Sequence, residues 1–132
     1  MLSNRSIPHC SVIPELPYAN VTDAAAWLAN AFGFTVRLTI GDHRVQMNAG
    51  DCAIVVVEGD APGCRVLVRV NDVDAHAARA RNAGATIVRE PADHAYGERQ
   101  YTARDPGGHA WTFSQSIADV APEAWGGVSV AL

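Results

Sequence analysis

The chain has 132 residues, 10 basic against 14 acidic side chains, a formal net charge of −4 and three cysteines. A chain of this size buries roughly 70% of its unfolded surface, which suits one domain of two similar halves and leaves no room for a second independent core. The acidic balance and the lack of a basic run exclude a nucleic-acid surface, and no stretch approaches the roughly 20 apolar residues of a membrane span.

The first eight residues lack the apolar core of a signal peptide, so a cytoplasmic location is expected. Cys10, Cys52 and Cys64 are odd in number and have no CxxC spacing. They suggest idle or buried thiols rather than a disulfide framework or a zinc ribbon. A first strand is expected near 12–20. Thr22 then serves as the N-cap of a helix of about three turns, whose buried face is Ala24, Trp27, Leu28 and Ala31 and whose stop is Gly33. Strands near 34–40, 44–48 and 52–58 follow, the last of them apolar on both faces. Residues 59–63, with Asp60 and Pro62, read as a short linker.

The pattern then starts again. Val66, Val68 and Val70 alternate with Arg65, Leu67 and Arg69, the period-2 mark of a strand with one face on a helix. Asn71 caps a second helix with Val73, Ala77 and Ala80 buried, and Gly84 ends it. A strand near 85–89 leads to the loop His94-Ala95-Tyr96-Gly97, where the glycine suits either a plain connection or a cover over a ligand. Strands near 99–104 and 109–115 then fold about Asp105-Pro106-Gly107-Gly108, a turn sequence that supports a hairpin. Val21-Thr22-Asp23-Ala24 and Val70-Asn71-Asp72-Val73 lie 49 positions apart, so the chain reads as β-α-β-β-β twice. Module one covers about 9–58, module two about 65–116, and a tail without clear periodicity fills 117–132, where Trp125 anchors on the body or on a neighbouring subunit.

The paired units and the turn Asp105-Pro106-Gly107-Gly108-His109 before the final strand resemble the vicinal oxygen chelate superfamily: glyoxalases, ring-cleaving dioxygenases, fosfomycin-resistance enzymes and bleomycin-binding proteins. The resemblance covers roughly residues 12–116. It implies an α+β fold in which two tandem βαβββ modules form an open, curled sheet around a ligand cavity, with the helices outside. Alternation then assigns faces. Leu16, Tyr18 and Asn20, Arg44, Gln46 and Asn48, Cys52, Ile54 and Val56, Arg65, Leu67 and Arg69, Gln100 and Thr102, and Ala110, Thr112 and Ser114 are expected to face the cavity. Val45, Met47, Tyr101, Ala103, Trp111 and Phe113 are expected to pack under the helices.

Metal-dependent members of this superfamily place ligands on the first and last strand of each module, which correspond here to Leu16, Ile54, Arg65 and Thr112. None of these is a usual divalent-cation ligand and Arg65 repels one, so no metal and no other cofactor is expected. His9, His43, His76, His94 and His109 show no metal-binding spacing. The resemblance therefore implies a small-molecule binder, with Tyr18, Asn20, Arg44, Gln46, Arg65, Arg69, Gln100, Thr102 and Thr112 as ligand contacts. Tyr18 is the expected stacking platform, and Arg44, Arg65 and Arg69 either attract an anionic group or pair at the surface. The alternative is a lyase or isomerase of the glyoxalase type, metal-free or with displaced ligands, using Glu98 and His109. Glu98 can equally cap a loop, and His109 can equally support its turn. A homodimer is expected, with 3–10 and the Trp125 tail wrapping the partner.

Overall fold

The computed structural model describes residues 4–60 and 63–129. Two β-α-β-β-β units follow one another. The first comprises β1 (Glu15–Tyr18), α1 (Val21–Phe32), β2 (Thr35–Ile40), β3 (Arg44–Ala49) and β4 (Cys52–Glu58). The second comprises β5 (Arg65–Arg69), α2 (Val73–Asn82), β6 (Thr86–Asp93), β7 (Glu98–Arg104) and β8 (Ala110–Ser116). A 3-10 turn at Pro122–Trp125 closes the described chain. The sheets repeat one topology, β1-β4-β3-β2 and β5-β8-β7-β6, each with a parallel pair at one edge and two antiparallel pairs beyond it. Ala61, Pro62 and Ser3, which belong to the expected linker and wrapping segment, lie outside the described residues.

Both helices start earlier or later than their Thr22 and Asn71 expectations because each entry offers several residues able to cap. Asn20 caps α1, its side chain accepting the Asp23 N–H, and Asp72 caps α2 by accepting from Ala75 N–H. Gly33 ends α1 at φ 78°, a left-handed conformation that a side chain would strain. Asn20 is thus committed to its helix, which corrects its assignment as a cavity residue.

One apolar core runs through both units. Leu28, Ala31 and Phe32 of α1 and Val73, Ala77 and Ala80 of α2 pack with Val45, Met47, Tyr101, Trp111 and Phe113 from the sheets. Phe32 ties the units together, its ring lying 4.8 Å from that of Phe113 and 5.6 Å from that of Trp111. Burial of apolar surface is the dominant favourable contribution to a fold, and large aromatic groups supply much of it per residue.

Alternation holds in β3, β5, β7 and β8 and fails in β1 and β4. Leu16, Val56 and Val45 form one row across three strands, and residues in a row share a face. That row, Tyr18 and Ile54 are buried on the helix side. The cavity assignments of Leu16, Tyr18, Ile54 and Val56 are therefore corrected, and Cys52 stands exposed at the strand's start. The open face of the first sheet instead carries Glu15 and Pro17 beside Val55 and Val57. Four residues of β1 and a β4 run that is apolar on both sides give no period from which to read a face.

The modules meet where the β7–β8 turn crosses the end of β1. His109 is fully buried there. Its Nδ1 accepts the Cys64 N–H at 2.7 Å, and its Nε2 lies 2.7 Å from the Pro17 carbonyl. This pattern requires the neutral tautomer with the proton on Nε2. Asp105, 4% exposed, is the second fastening. Its Oδ2 accepts from Tyr18 Oη at 2.5 Å and Trp111 Nε1 at 2.9 Å, and its Oδ1 accepts the N–H groups of Gly107 and His109, both at 3.0 Å. Burial, and then the neighbouring carboxylate, pushes the Tyr18 hydroxyl far above the usual phenol range, so it remains a donor.

Candidate functional site

The strand register places an ordered grid of side chains on the open face of the second sheet. One row reads Arg65, Ala110, Arg104 across β5, β8 and β7. The next reads Leu67, Thr112, Thr102, Arg89, and the third Arg69, Ser114, Gln100, Ala92. A cleft of about 650 Å³ lies against this face, lined by Arg65, Arg89, Arg104, Gln100, Thr102 and Thr112 among others. Of the expected ligand contacts, Arg65, Gln100, Thr102 and Thr112 are thus brought together, and Arg69 stands in the adjoining row. Arg89, Arg104 and His94 also line the cleft and were not anticipated. Arg104 could have been found by continuing the alternation of Gln100 and Thr102 by one step. Arg89 could not, because β6 carries irregularities on both sides of it that break the period.

The floor is a chain of mutually satisfied polar groups. Thr102 Oγ1 and Thr112 Oγ1 are 2.8 Å apart, Gln100 Nε2 donates to Ser114 Oγ at 3.0 Å, and Tyr96 Oη donates to Gln100 Oε1 at 2.8 Å. Ser114 Oγ in turn donates to Glu98 Oε1 at 2.7 Å. Hydrogen bonds from Ser116 and Ser114 hold the Glu98 carboxyl below the usual carboxylate range. Glu98 is therefore an ionised acceptor and a weak base. The Tyr96 loop is a tied-down turn: the Gly97 carbonyl accepts from Ile117 and Ala118 N–H, and Gly97 N–H donates to the His94 carbonyl. The rings of His94 and Tyr96 stack at 5.1 Å, and Trp125 lies 5.3 Å from Tyr96, so the tail anchors on its own chain.

The first sheet's open face is occupied differently. The backbone of the N-terminal segment crosses it: Arg37 donates to the carbonyls of Arg5 and Ile7 and to Gln46 Oε1, and Gln46 Nε2 donates to the Ser6 carbonyl at 2.9 Å. Gln46 and Val55 are consequently 5% and 3% exposed. Gln46 thus spends its amide on its own chain, and Arg44 pairs with Glu15 at 2.8 Å. His109, enclosed and bonded at both ring nitrogens, has no open position for a substrate, which corrects its catalytic assignment.

The fold's usual divalent cation does not fit the donors present. Once Leu16 and Ile54 are placed under the helix, the open-face positions on β1 and β4 hold Glu15, Pro17, Val55 and Val57, and Glu15 is taken by Arg44. Arg65, Leu67 and Thr112 stand on β5 and β8. Among the described residues no three His, Cys, Asp or Glu side chains converge.

A family model for the glyoxalase/bleomycin resistance protein/dioxygenase superfamily matches residues 65–113, which hold all of this grid except Ser114. TioX from Micromonospora sp. ML1 is 32% identical, covers 82% of this chain and 99% of its own, and superposes with a TM-score of 0.74. The chain belongs to the glyoxalase/bleomycin resistance protein/dioxygenase superfamily. Uncharacterized protein Rv0887c of Mycobacterium tuberculosis and uncharacterized protein Mb0911c of Mycobacterium bovis are each 39% identical over 88 residues, or 67% of this chain. The match spans 50% and 56% of those proteins, so this chain corresponds to about half of each. A lactoylglutathione lyase from Agrobacterium tumefaciens is 15% identical with a TM-score of 0.69 over 90% of this chain and 98% of its own, a likeness of fold alone. Superfamily membership fixes the architecture, while chemistry resides in the side chains grafted on it.

Proposed function

We propose that this chain binds a small organic molecule on the open face of its second module, without a metal. The observation that carries the reading is the 650 Å³ cleft, which combines hydrogen-bonding groups from four strands with the apolar Val88 and Ala92 at its wall. Concave sites of that size, with a few placed polar groups, are what orienting pockets need. Catalysis as a lyase or isomerase is less well supported: Glu98 is held ionised by two serine hydroxyls, and His109 is sealed between Cys64 and Pro17. A general base works best with its pKa near the operating pH.

The test is native mass spectrometry of freshly purified protein beside a Thr112→Trp variant, whose indole fills the floor of the cleft. The expected result is a small-molecule adduct on the parent protein and none on the variant. An adduct of equal occupancy on both would overturn the reading. The proposal includes a homodimer, in which the exposed Val36 and Ile40 of edge strand β2 give a second copy an apolar edge to cover. Sedimentation velocity returning a monomer at working concentration would refute that part.

A further inference from the structure

The chain carries ten basic residues, and all ten are arginine. Six are engaged with other groups of the fold. Arg44, Arg81 and Arg99 pair with Glu15, Glu90, and Asp74 with Asp93. Arg37 and Arg79 donate to backbone carbonyls, and Arg69 donates to Ser116 Oγ. The other four, Arg5, Arg65, Arg89 and Arg104, have neither a carboxylate within 4.0 Å nor a side-chain hydrogen bond among the described residues. Three of these four line the same cleft.

Their placement follows from the register. Arg65 and Arg104 flank Ala110 in a single row, so with strands about 4.8 Å apart their Cα atoms stand roughly 10 Å apart over a methyl-sized floor. Arg89 approaches from β6 in the neighbouring row, opposite Thr102. Guanidinium groups on side chains of this length can converge above Ala110. In a protein of net charge −4, three exposed arginines without a carboxylate partner along one cleft make a local positive patch against the overall charge. The one carboxylate lining the cleft, Glu90, is bound to Arg81.

We propose that the ligand of this cleft carries an oxyanion, a carboxylate or a phosphate, seated above Ala110 between Arg65, Arg104 and Arg89. Planar guanidinium forks match both groups through paired, charge-assisted hydrogen bonds. The Thr102–Thr112 hydroxyl pair stands in the next row along, and Val88 and Ala92 at the wall of the cleft suit an apolar body. This inference rests on the small-molecule reading above and narrows it to a chemical class.

The test titrates inorganic phosphate and, separately, benzoate into 15N-labelled protein at low ionic strength, with chloride as the control. Expected are saturable shifts of the Ala110, Thr112 and Thr102 amides with at least one of the two probes. Arg65→Gln and Arg104→Gln are each expected to weaken binding about tenfold, Arg5→Gln to leave it unchanged, and added salt to weaken it. Phosphate shifts without benzoate shifts assign a phosphate ligand, and the converse a carboxylate. Ala110→Asp supplies an independent reading: a carboxylate built between the two arginines is expected to raise Tm and abolish probe binding. A lowered Tm with probe binding intact would overturn the proposal, as would affinities unchanged in Arg65→Gln and Arg104→Gln. If a co-purified adduct blocked by Thr112→Trp persists at full occupancy in Arg65→Gln and Arg104→Gln, the anionic class falls and the small-molecule reading stands. If no adduct and no probe binding is sensitive to Thr112→Trp, both fall.

Discussion

Asp105→Asn is the substitution that most directly tests the junction between the modules. The buried carboxylate accepts four hydrogen bonds, two at each oxygen. Asparagine fits the same space and keeps an oxygen for the Gly107 and His109 amides, but its amino group then confronts Tyr18 Oη and Trp111 Nε1. The hydroxyl can rotate and accept. The indole N–H is donor only, so it is left facing another donor in a fully buried position. An unsatisfied buried donor costs about 1–3 kcal/mol, and exchanging a charged for a neutral acceptor on the remaining bonds adds about 1 kcal/mol, which gives roughly 3 kcal/mol in all. Against a total stability of about 5–15 kcal/mol, that is a large fraction. Tyr18→Phe removes one donor and leaves the carboxylate three, so its expected cost is about 1 kcal/mol. Urea unfolding followed by far-ultraviolet circular dichroism and tryptophan fluorescence measures both. A cost for Asp105→Asn below about 0.5 kcal/mol, or one smaller than that of Tyr18→Phe, would refute the assignment of Asp105 as the fastening.

Two further perturbations follow from the same region and from the helix interface. A Cβ at Gly107 would sit 2.6 Å from Tyr18 Cδ1, on a ring that Asp105 holds in place, so Gly107→Ala is expected to lose about 2–3 kcal/mol in urea unfolding. A loss within 0.5 kcal/mol of zero would show that the ring can yield. His76 of α2 bridges the modules, with Nε2 3.0 Å from the Phe32 carbonyl and Nδ1 2.5 Å from Tyr101 Oη. Burial, assisted by Arg79, lowers its pKa below the ordinary histidine value, even though the bond to Phe32 opposes the shift. The folded protein therefore keeps His76 neutral while the unfolded chain takes up a proton below about pH 6.5, so this contribution is full above that pH and is lost as pH falls. His76→Gln, which can keep both bonds, is expected to flatten the fall in stability between pH 7 and 5; an unchanged slope would contradict the linkage.

Much of this architecture is legible in the residues themselves. The alternation of Val66, Val68 and Val70 with Arg65, Leu67 and Arg69 fixes a face without help, and the Asp105–Gly108 turn fixes a hairpin whose register then carries Thr102 opposite Thr112. Four of the expected ligand contacts lie together for that reason. What escaped depends on contacts between distant segments. Nothing near His109 in sequence says that its ring bonds Cys64, 45 positions away, and Pro17, 92 positions away. β1 is too short to show a period, and its facing was decided by the ladder with β4. Gln46 and Arg44 sit on the face expected of them, yet one is engaged by a segment some 40 positions upstream and the other by Glu15. Burial by the chain's own end cannot be read from a local pattern.

That covering segment breaks the equivalence of a duplicated fold. Two sheets of identical strand order offer two concave faces in principle, and the backbone carbonyls of Arg5, Ser6 and Ile7 have taken the central rows of one of them. The two halves consequently differ in what their open faces contact. The first sheet's face depends on Arg37 and Gln46 to receive its own N-terminal segment, whereas the second sheet's face is held by bonds among its own strands, Thr102 to Thr112 and Gln100 to Ser114. A substitution at Arg37 or Gln46 is therefore felt by the N-terminal segment, whereas one at Arg65, Arg89 or Arg104 meets no bonded partner among the described residues.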